Sequence, residues 1–317
     1  MQNYILRRFL WAVPTLLGAI TLIFLLMRVL PGDVVIMVLG GEGQDIDPTQ
    51  YQALREQLGL NRPLLEQYFD WLWGIIRLDL GVSLWTSQPV WSEISTRLPY
   101  TATLIAMALA ISIALSIPIG VASALKQDSW LDYALRGFAI AGLSIPSFWF
   151  GMLLLILVVT VFNWSPPIEY APVYKEPWIA LQQLFLPAIT LGYRQVAISA
   201  RMMRSTMLEV LREDYVRTAW AKGLTERAVV YIHAMRNAIL PVITIFGLEI
   251  ILLISGTVII ETIFNIPGVG RLLVDGINNR DVNLVQGVTA FIVAIVLATN
   301  LIVDLIYAWA DPRVRFK

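Results

Sequence analysis

The chain has 317 residues, 57% of them hydrophobic and 15% charged, and its mean hydropathy of +0.69 is far above that of soluble globular proteins. Its formal net charge is zero, so the composition gives no indication of a nucleic-acid partner. It has no cysteine and one histidine, which excludes disulfides and thiolate metal sites and leaves little for histidine-based catalysis. We expect that histidine, His233, to be a packing or interface residue.

Six apolar stretches are long enough to cross a bilayer as helices, which takes roughly 20 residues. The first follows Arg7 and Arg8 but is too long for a signal peptide, and no cleavage site follows it, so we interpret it as an uncleaved span. The sequence predicts an all-α polytopic membrane protein: a first span in 1–30, a loop region in 31–99 and a core in 100–317. The predicted spans cover residues 9–30, 100–125, 136–162, 180–203, 238–260 and 286–310.

Basic residues are concentrated before span one, between spans two and three, between spans four and five, and at the chain end. The long connection 31–99 is acidic instead. The positive-inside rule therefore places both termini in the cytoplasm and residues 31–99 outside. Within that outer loop, TQYQALREQLGL and PLLEQYFDWLWGIIRLDL show helical periodicity. Periodicity alone fits an amphipathic cap on the bundle and a docking surface for an extracytoplasmic partner equally well.

Motifs for catalysis are missing: the sequence contains no HExxH, GxSxG, Walker A loop or GxGxxG opening a helix. A nucleotide-driven machine built on this chain would need a separate ATPase. A secondary transporter would instead carry its own coupling site, made of ionisable residues or broken helices at mid-membrane, and an inverted repeat. We see no such repeat. A membrane-embedded enzyme would need catalytic residues clustered at one depth, and the lone histidine argues against it.

The segment 213–241, EDYVRTAWAKGLTERAVVYIHAMRNAILP, is charged and has a helical pattern with a break at Gly223 and Leu224. A membrane helix that is moved by a cytoplasmic motor needs a short, charged, helical contact segment. It also needs a glycine to turn the chain back, because glycine accepts left-handed backbone angles at little cost. The alternative is a solvated basic loop that only reinforces the topology. The residues alone leave both readings open.

This segment is where the sequence resembles a known family. EDYVRTAWAKGL followed by HAMRNAILPVIT resembles the EAA loop of ABC-importer permeases, in the dipeptide/oligopeptide/nickel branch, and places that loop at about 205–241. RVLPGD, LGLNRPLLEQY, SIPSFWFG, ETIFNIPGVGRLL, NRDVNLVQG and NLIVDLIYAWADPRVR are also similar to the branch, in its order and over nearly the whole chain. The loop departs from the general pattern, which has Glu-Ala-Ala at Arg217, Thr218 and Ala219, and Trp220 stands where a charged residue is common in the branch. Leu240–Pro241 also lies farther from Gly223 than usual.

The resemblance implies a pore-forming permease in a prokaryotic inner membrane, with a cytoplasmic coupling helix between spans four and five. The chain would pair with a second homologous permease, two cytoplasmic ATPases and an extracytoplasmic solute-binding protein, surrounded by membrane lipid. ATP and Mg²⁺ would bind the ATPases, so the chain itself would have no catalytic, cofactor or metal residues. The substrates would be peptides, nickel chelates, glutathione or sugars. The implied ATPase-coupling residues are Glu213, Asp214, Tyr215, Arg217, Thr218, Ala219, Lys222, Gly223 and Leu224.

Two charges lie at similar predicted depth inside the membrane. Arg194 is ten residues before Arg204, about 15 Å along a helix, and Glu249 is eleven residues past Ala238 on the next span. Such charges are costly in lipid and normally face a partner or a water-filled cavity. They could form a structural pair, line the pore and contact a zwitterionic substrate, or lie apart and each meet the partner permease.

Overall fold

The computed structural model describes residues 2–29, 35–36, 39, 47–167 and 169–310, with side chains from residue 10 to residue 305. Over these ranges the protein is helical, with one isolated antiparallel bridge between Val82 and Pro89, which confirms the predicted all-α class. The helices are α1 Gln2–Val29, α2 Pro48–Gln57, α3 Leu64–Ile76, α4 Val90–Leu125, α5 Trp130–Ser144, α6 Ser147–Phe162, α7 Pro177–Val210, α8 Asp214–Ala221, α9 Glu226–Ile263, α10 Val269–Asn278 and α11 Val282–Ala310.

Four of the described helices are long and apolar enough to cross a membrane: α1, α4, α9 and α11. The bent pair of α5 and α6 makes a fifth candidate if it counts as one span. The predicted fourth span, 180–203, lies within α7, which is longer than a bilayer requires but is not among these apolar helices. The prediction of six spans is therefore met in part, by a polytopic helical protein.

The predicted span 136–162 is not one straight helix. α5 ends at Ser144, Ile145 is extended (φ −86°, ψ 126°), and α6 begins after Pro146 at an angle of 111°. Proline disfavours helical angles at the residue before it and has no N–H to continue a helix. A break at Ile145–Pro146 is the direct result, and it corrects the prediction of one continuous span.

The chain divides into two compact units, Met1–Pro99 with Pro267–Leu301, and Tyr100–Ile266 with Ile302–Lys317. In the first unit α3 packs along α1: Phe24 stacks on Tyr68 and Trp71, and Arg28 donates to the Gln67 side chain at 2.7 Å. The helices predicted in the outer loop are thus confirmed as α2 and α3.

A second contact set in the first unit fixes the start of α11. Asp281 is buried and stands just before α11, where its carboxylate accepts from the Leu284 N–H at 3.0 Å, as an N-cap does. The same carboxylate accepts from the Ser83 hydroxyl at 2.6 Å and from the Trp85 N–H at 3.2 Å. The carboxylate that caps the start of α11 therefore also holds the loop before α4.

α7 is the central helix of the second unit, with contacts to α5, α6 and α9 and buried residues along its length. Glycines set its closest approach to α4, since a Cβ on Gly192 would lie 2.9 Å from the Ala108 carbonyl and one on Gly120 would lie 2.5 Å from the Met203 Cβ. The residue numbers at these two contacts rise together, so α4 and α7 run parallel.

α9 runs in the opposite direction along α7. A Cβ on Gly256 would meet the Leu191 side chain, and Glu249, seven residues earlier, bonds to Ser199, eight residues later on α7. Leu104, Leu184, Leu253 and Ile260 are buried together in the core between these helices. This packing fixes which residues of α4, α7 and α9 lie at the same level.

Candidate functional site

The predicted contact segment begins three residues after α7 ends. Glu213 is extended (φ −69°, ψ 146°) and opens α8, and Gly223 has φ +75°, a left-handed angle that glycine adopts without strain. The Gly223 N–H bonds to the Trp220 carbonyl at 2.9 Å, and the Leu224 N–H bonds to the Ala219 carbonyl at 3.4 Å, which closes the helix end. The short helix, the glycine turn and the following helix are confirmed as local structure.

One face of α8 is buried and the other is open. Val216 and Ala219 are buried against Val229 of α9, and residues at the end of α7 pack on the same cluster. Tyr215 and Trp220 lie at the two edges of the buried face, 40% and 47% exposed, and Asp214, Arg217 and Thr218 lie on the open face. A loop that only reinforces topology has no need of a packed apolar face. α8 is held against the helices beside it and presents aromatic groups to solvent.

A hydrogen bond also ties α8 to α9. The Asn237 side-chain amide donates to the Tyr215 hydroxyl at 2.8 Å, across 22 residues of chain. Between them α9 contains a π-helical segment, Val229–Ala234, a rare form that is frequent at functional sites. His233 lies in this segment and is half-buried. Asn237 was not among the predicted coupling residues, although it stands in the quoted motif HAMRNAILPVIT.

The predicted coupling residues do not all share one surface. Ala219 is 5% exposed and faces the interior, so it supports α8 instead of offering a contact. Asp214 and Arg217 form an open ion pair at 3.3 Å. Trp220, absent from the predicted set, is one of the largest exposed side chains on α8. The exposed members of the set are Glu213, Asp214, Tyr215, Arg217, Thr218, Lys222, Gly223 and Leu224. Their role toward a partner stays a prediction.

A buried ion pair lies near the same end of α7. Asp132 of α5 is fully buried and accepts two bonds from the Arg204 guanidinium, at 2.8 Å and 2.7 Å. It also accepts from the Ser123 hydroxyl, near the end of α4, and from the Asp128 N–H at 3.1 Å. One carboxylate thus joins the ends of α4, α5 and α7.

Arg194 and Glu249 are not paired. The Glu249 carboxylate is fully buried and bonds to the hydroxyls of Ser112, at 2.8 Å, and Ser199. Arg194 is exposed. A salt bridge between them is absent from those formed by the described residues. The first of the three alternatives, a structural pair between Arg194 and Glu249, is therefore not present in the structure.

The second half of α7 has one open stripe. Arg194, Arg201 and Ser205 are exposed and Ile198 is partly exposed, at spacings of three and four residues that place them on one face of a helix. Gln195 and Ser199, on another face, are buried. The helix that is most enclosed in its unit therefore presents its exposed charged residues along a single line.

Comparison with known proteins gives the same family for both parts of the chain. Residues 116–316 match the binding-protein-dependent transport system inner membrane component, and residues 1–105 match the N-terminal region of such a membrane component. A Brucella abortus protein named for a peptide transport system permease is 43% identical over the whole of both chains. The dipeptide transport system permease of Escherichia coli K12 and the di/tripeptide transport system permease of Pseudomonas aeruginosa are each 38% identical, again over both full chains.

Proposed function

The chain belongs to the binding-protein-dependent transport system inner membrane components, as a pore-forming permease subunit of an ABC importer, and we propose that it imports short peptides. The observation that supports a peptide substrate is the set of relatives named for dipeptide, di/tripeptide or peptide transport, which match this chain from end to end. The secondary-transporter alternative is not favoured, because these relatives are permease subunits.

The proposed complex contains a second homologous permease, two cytoplasmic ATPases and an extracytoplasmic solute-binding protein. The chain would lie in a prokaryotic inner membrane with six spans and both termini in the cytoplasm, and α7 would be the fourth span. ATP and Mg²⁺ would bind the ATPases and not this chain. ATP binding would bring the ATPases together and open the pore outward, and hydrolysis would return it to the inward-open state.

The open face of α8 is the proposed ATPase contact. Tyr215 and Trp220 on α8, and Leu224 just after it, are large exposed side chains, and aromatic rings are enriched at protein interfaces. Motion of α8 would reach the membrane through two connections. One is the packing of Val216 against Val229, and the other is the bond from Asn237 to Tyr215. Both lead into α9.

The stripe on α7 is the proposed pore surface. A charged side chain exposed to lipid at mid-membrane is unfavourable, so such residues face a bundle interior or water. Arg194 is exposed on the single chain, which leaves the pore or the partner permease as its environment. In the pore, its guanidinium would form charge-assisted hydrogen bonds with the carboxylate of a peptide.

The function is tested by transport in reconstituted vesicles. The chain, co-expressed with its neighbouring permease and ATPase genes, is purified by a tag and inserted into liposomes with the binding protein outside and ATP inside. We expect uptake of a labelled dipeptide that requires ATP and stops with an ATPase-inactive partner. Uptake that is driven by an ion gradient without ATP would contradict an importer and support a secondary transporter. A complex that imports sugars but not peptides would overturn the substrate alone.

The proposed orientation is tested with single cysteines, since the natural chain has none. Thr49→Cys, in α2, and Thr218→Cys, in α8, both replace exposed residues. A membrane-impermeant maleimide added to intact spheroplasts should label the first and not the second. Permeabilised cells that lack the partner ATPases serve as the control, because both variants should then react. The reverse pattern would contradict a cytoplasmic α8.

A further inference from the structure

Five buried polar side chains lie within two turns of one another along α4, α7 and α9, where these helices pack together. The hydroxyls of Ser112 and Ser199 each donate to one oxygen of the Glu249 carboxyl group. Ser116 follows Ser112 by one turn of α4, and Gln195 precedes Ser199 by one turn of α7. Because α4 and α7 are parallel with Ala108 beside Gly192 and Gly120 beside Met203, Ser112 is level with Gln195 and Ser116 with Ser199. We call Ser112, Ser116, Gln195, Ser199 and Glu249 the buried polar cluster.

Two atoms of the buried polar cluster have no hydrogen-bond partner. The Ser116 hydroxyl and the Gln195 Oε1 are both buried and unbonded, on residues that are 0% and 4% exposed. A buried acceptor without a donor is unfavourable, so such atoms call for a further donor at the site. An ionised Glu249 cannot supply one, because a carboxylate only accepts hydrogen bonds.

Among the described residues of the helices packed around Glu249, no basic side chain is positioned to balance an ionised carboxylate. On α7, Arg194 and Arg201 are exposed on a different face and Arg204 is bonded to Asp132. α4 has no acidic or basic residue between Arg97 and Lys126, and α6 has none.

The remaining charged groups lie on α9 and α11. Arg236 is thirteen residues from Glu249 on α9 and is exposed, and Glu261 is twelve residues away in the other direction and bonds to Thr101. On α11, Asp304 follows Val303, which would contact a Cβ on Gly247. Arg236, the one basic group of the three, lies about 20 Å along α9 from Glu249, too far to balance its charge.

We propose that Glu249 binds a proton and holds it in the folded protein, so that the buried polar cluster is a proton-binding site joining α4, α7 and α9. The protonated acid has one O–H to donate and one carbonyl oxygen to accept, which suits a site rich in hydroxyl oxygens. The proton stays on the carboxyl group and no transfer is required. The proposal does not depend on which solute the pore carries.

The first test compares the melting temperature of the purified complex for wild type, Glu249→Gln and Glu226→Gln from about pH 5 to about pH 9. An amide is the neutral isostere of a protonated acid, so Glu249→Gln should melt within about 2 °C of wild type at the acidic end. When a carboxyl group keeps its proton in the folded protein and releases it in the unfolded protein, the free energy of unfolding falls as pH rises. The melting temperature of wild type should therefore fall relative to that of Glu249→Gln toward alkaline pH. Glu226→Gln, an exposed position on α9, should follow wild type throughout.

A second measurement does not depend on a variant's stability. The infrared spectrum of the complex should contain a protonated-carboxyl absorption that is absent from Glu249→Gln. Failure of Glu249→Gln to assemble, or parallel pH curves for it and wild type, would overturn the proposal. So would a melting temperature that rises with sodium but not with choline in wild type alone, since a metal ion and not a proton would then balance the carboxylate. Loss of peptide uptake with an intact proton site would count against the proposed function only.

Discussion

Removal of the Asp132 carboxylate is expected to destabilise the second unit by about 3 kcal/mol. Breaking a buried ion pair by deleting one partner costs about 3–5 kcal/mol, because the other charge is left without compensation. Asp132→Ala also leaves the Ser123 hydroxyl and the Asp128 N–H without their acceptor. The lower end of the range applies because the Arg204 side chain is 20% exposed and can regain water on one side.

The exposed pair of Arg62 and Asp70 provides the matched control. Its atoms are 3.0 Å apart, close to the 2.7 Å of the buried pair, but the two side chains are 60% and 66% exposed. Exposed pairs contribute about 0–1 kcal/mol, so Asp70→Ala should change the free energy of unfolding by that amount or less. The comparison separates the effect of burial from the effect of ion pairing itself.

The free energy of unfolding can be measured by titrating the detergent-solubilised protein with sodium dodecyl sulfate and following its circular dichroism. A double variant, Asp132→Leu with Arg204→Met, replaces both charges by apolar groups of similar size and should recover most of the loss. Equal losses for Asp132→Ala and Asp70→Ala would refute the reasoning from burial. A double variant as unstable as the sum of its single changes would refute the role of an uncompensated charge.

Three further changes test the coupling segment and the helix packing. Gly223→Ala places a side chain at φ +75°, strains the turn by about 1–2 kcal/mol and should reduce ATP-driven uptake, whereas Gly137→Ala, in a helix with free space, should not. Trp220→Ala should weaken ATPase co-purification and Trp178→Ala, at a position 71% exposed against 47% for Trp220, should not; equal binding would exclude Trp220 from the contact. Gly120→Ala brings a Cβ to 2.5 Å from a neighbour and should cost about 1–3 kcal/mol of unfolding free energy, against no loss for Gly137→Ala.

Local patterns predicted the short helices well. α2, α3 and α8 follow from apolar residues at helical spacing, and the α8 turn follows from glycine, the residue type that adopts a left-handed angle most readily. Pro146 marks the break at Ile145–Pro146 in the sequence, but the sequence does not give the 111° change of direction there. Apolar composition continues through SIPSFWFG on both sides of it, and hydropathy reports composition but not the angle between helices.

The absence of a pair between Arg194 and Glu249 has a similar origin. Rise per residue gives depth, and depth placed the two charges level with each other. Which way each residue points depends on the rotation of its helix, which only the packing of neighbouring helices decides. Arg194 lies about 140° around α7 from Ser199, the residue that Glu249 contacts, at 3.6 residues per turn. Equal depth was thus compatible with no contact.

The polarity of α7 explains why it is not among the apolar helices and also fits its proposed role at the pore. A helix with lipid on all sides must be apolar around its whole circumference. α7 is instead enclosed by α4, α5, α6 and α9, so its polar residues can meet other polar residues, as Ser199 meets Glu249 and Arg204 meets Asp132. Its remaining open stripe can then face water without cost. A pore needs a helix of this kind, supported on its other sides and wet on one, and low hydropathy inside a bundle of apolar spans is the sequence pattern that indicates it.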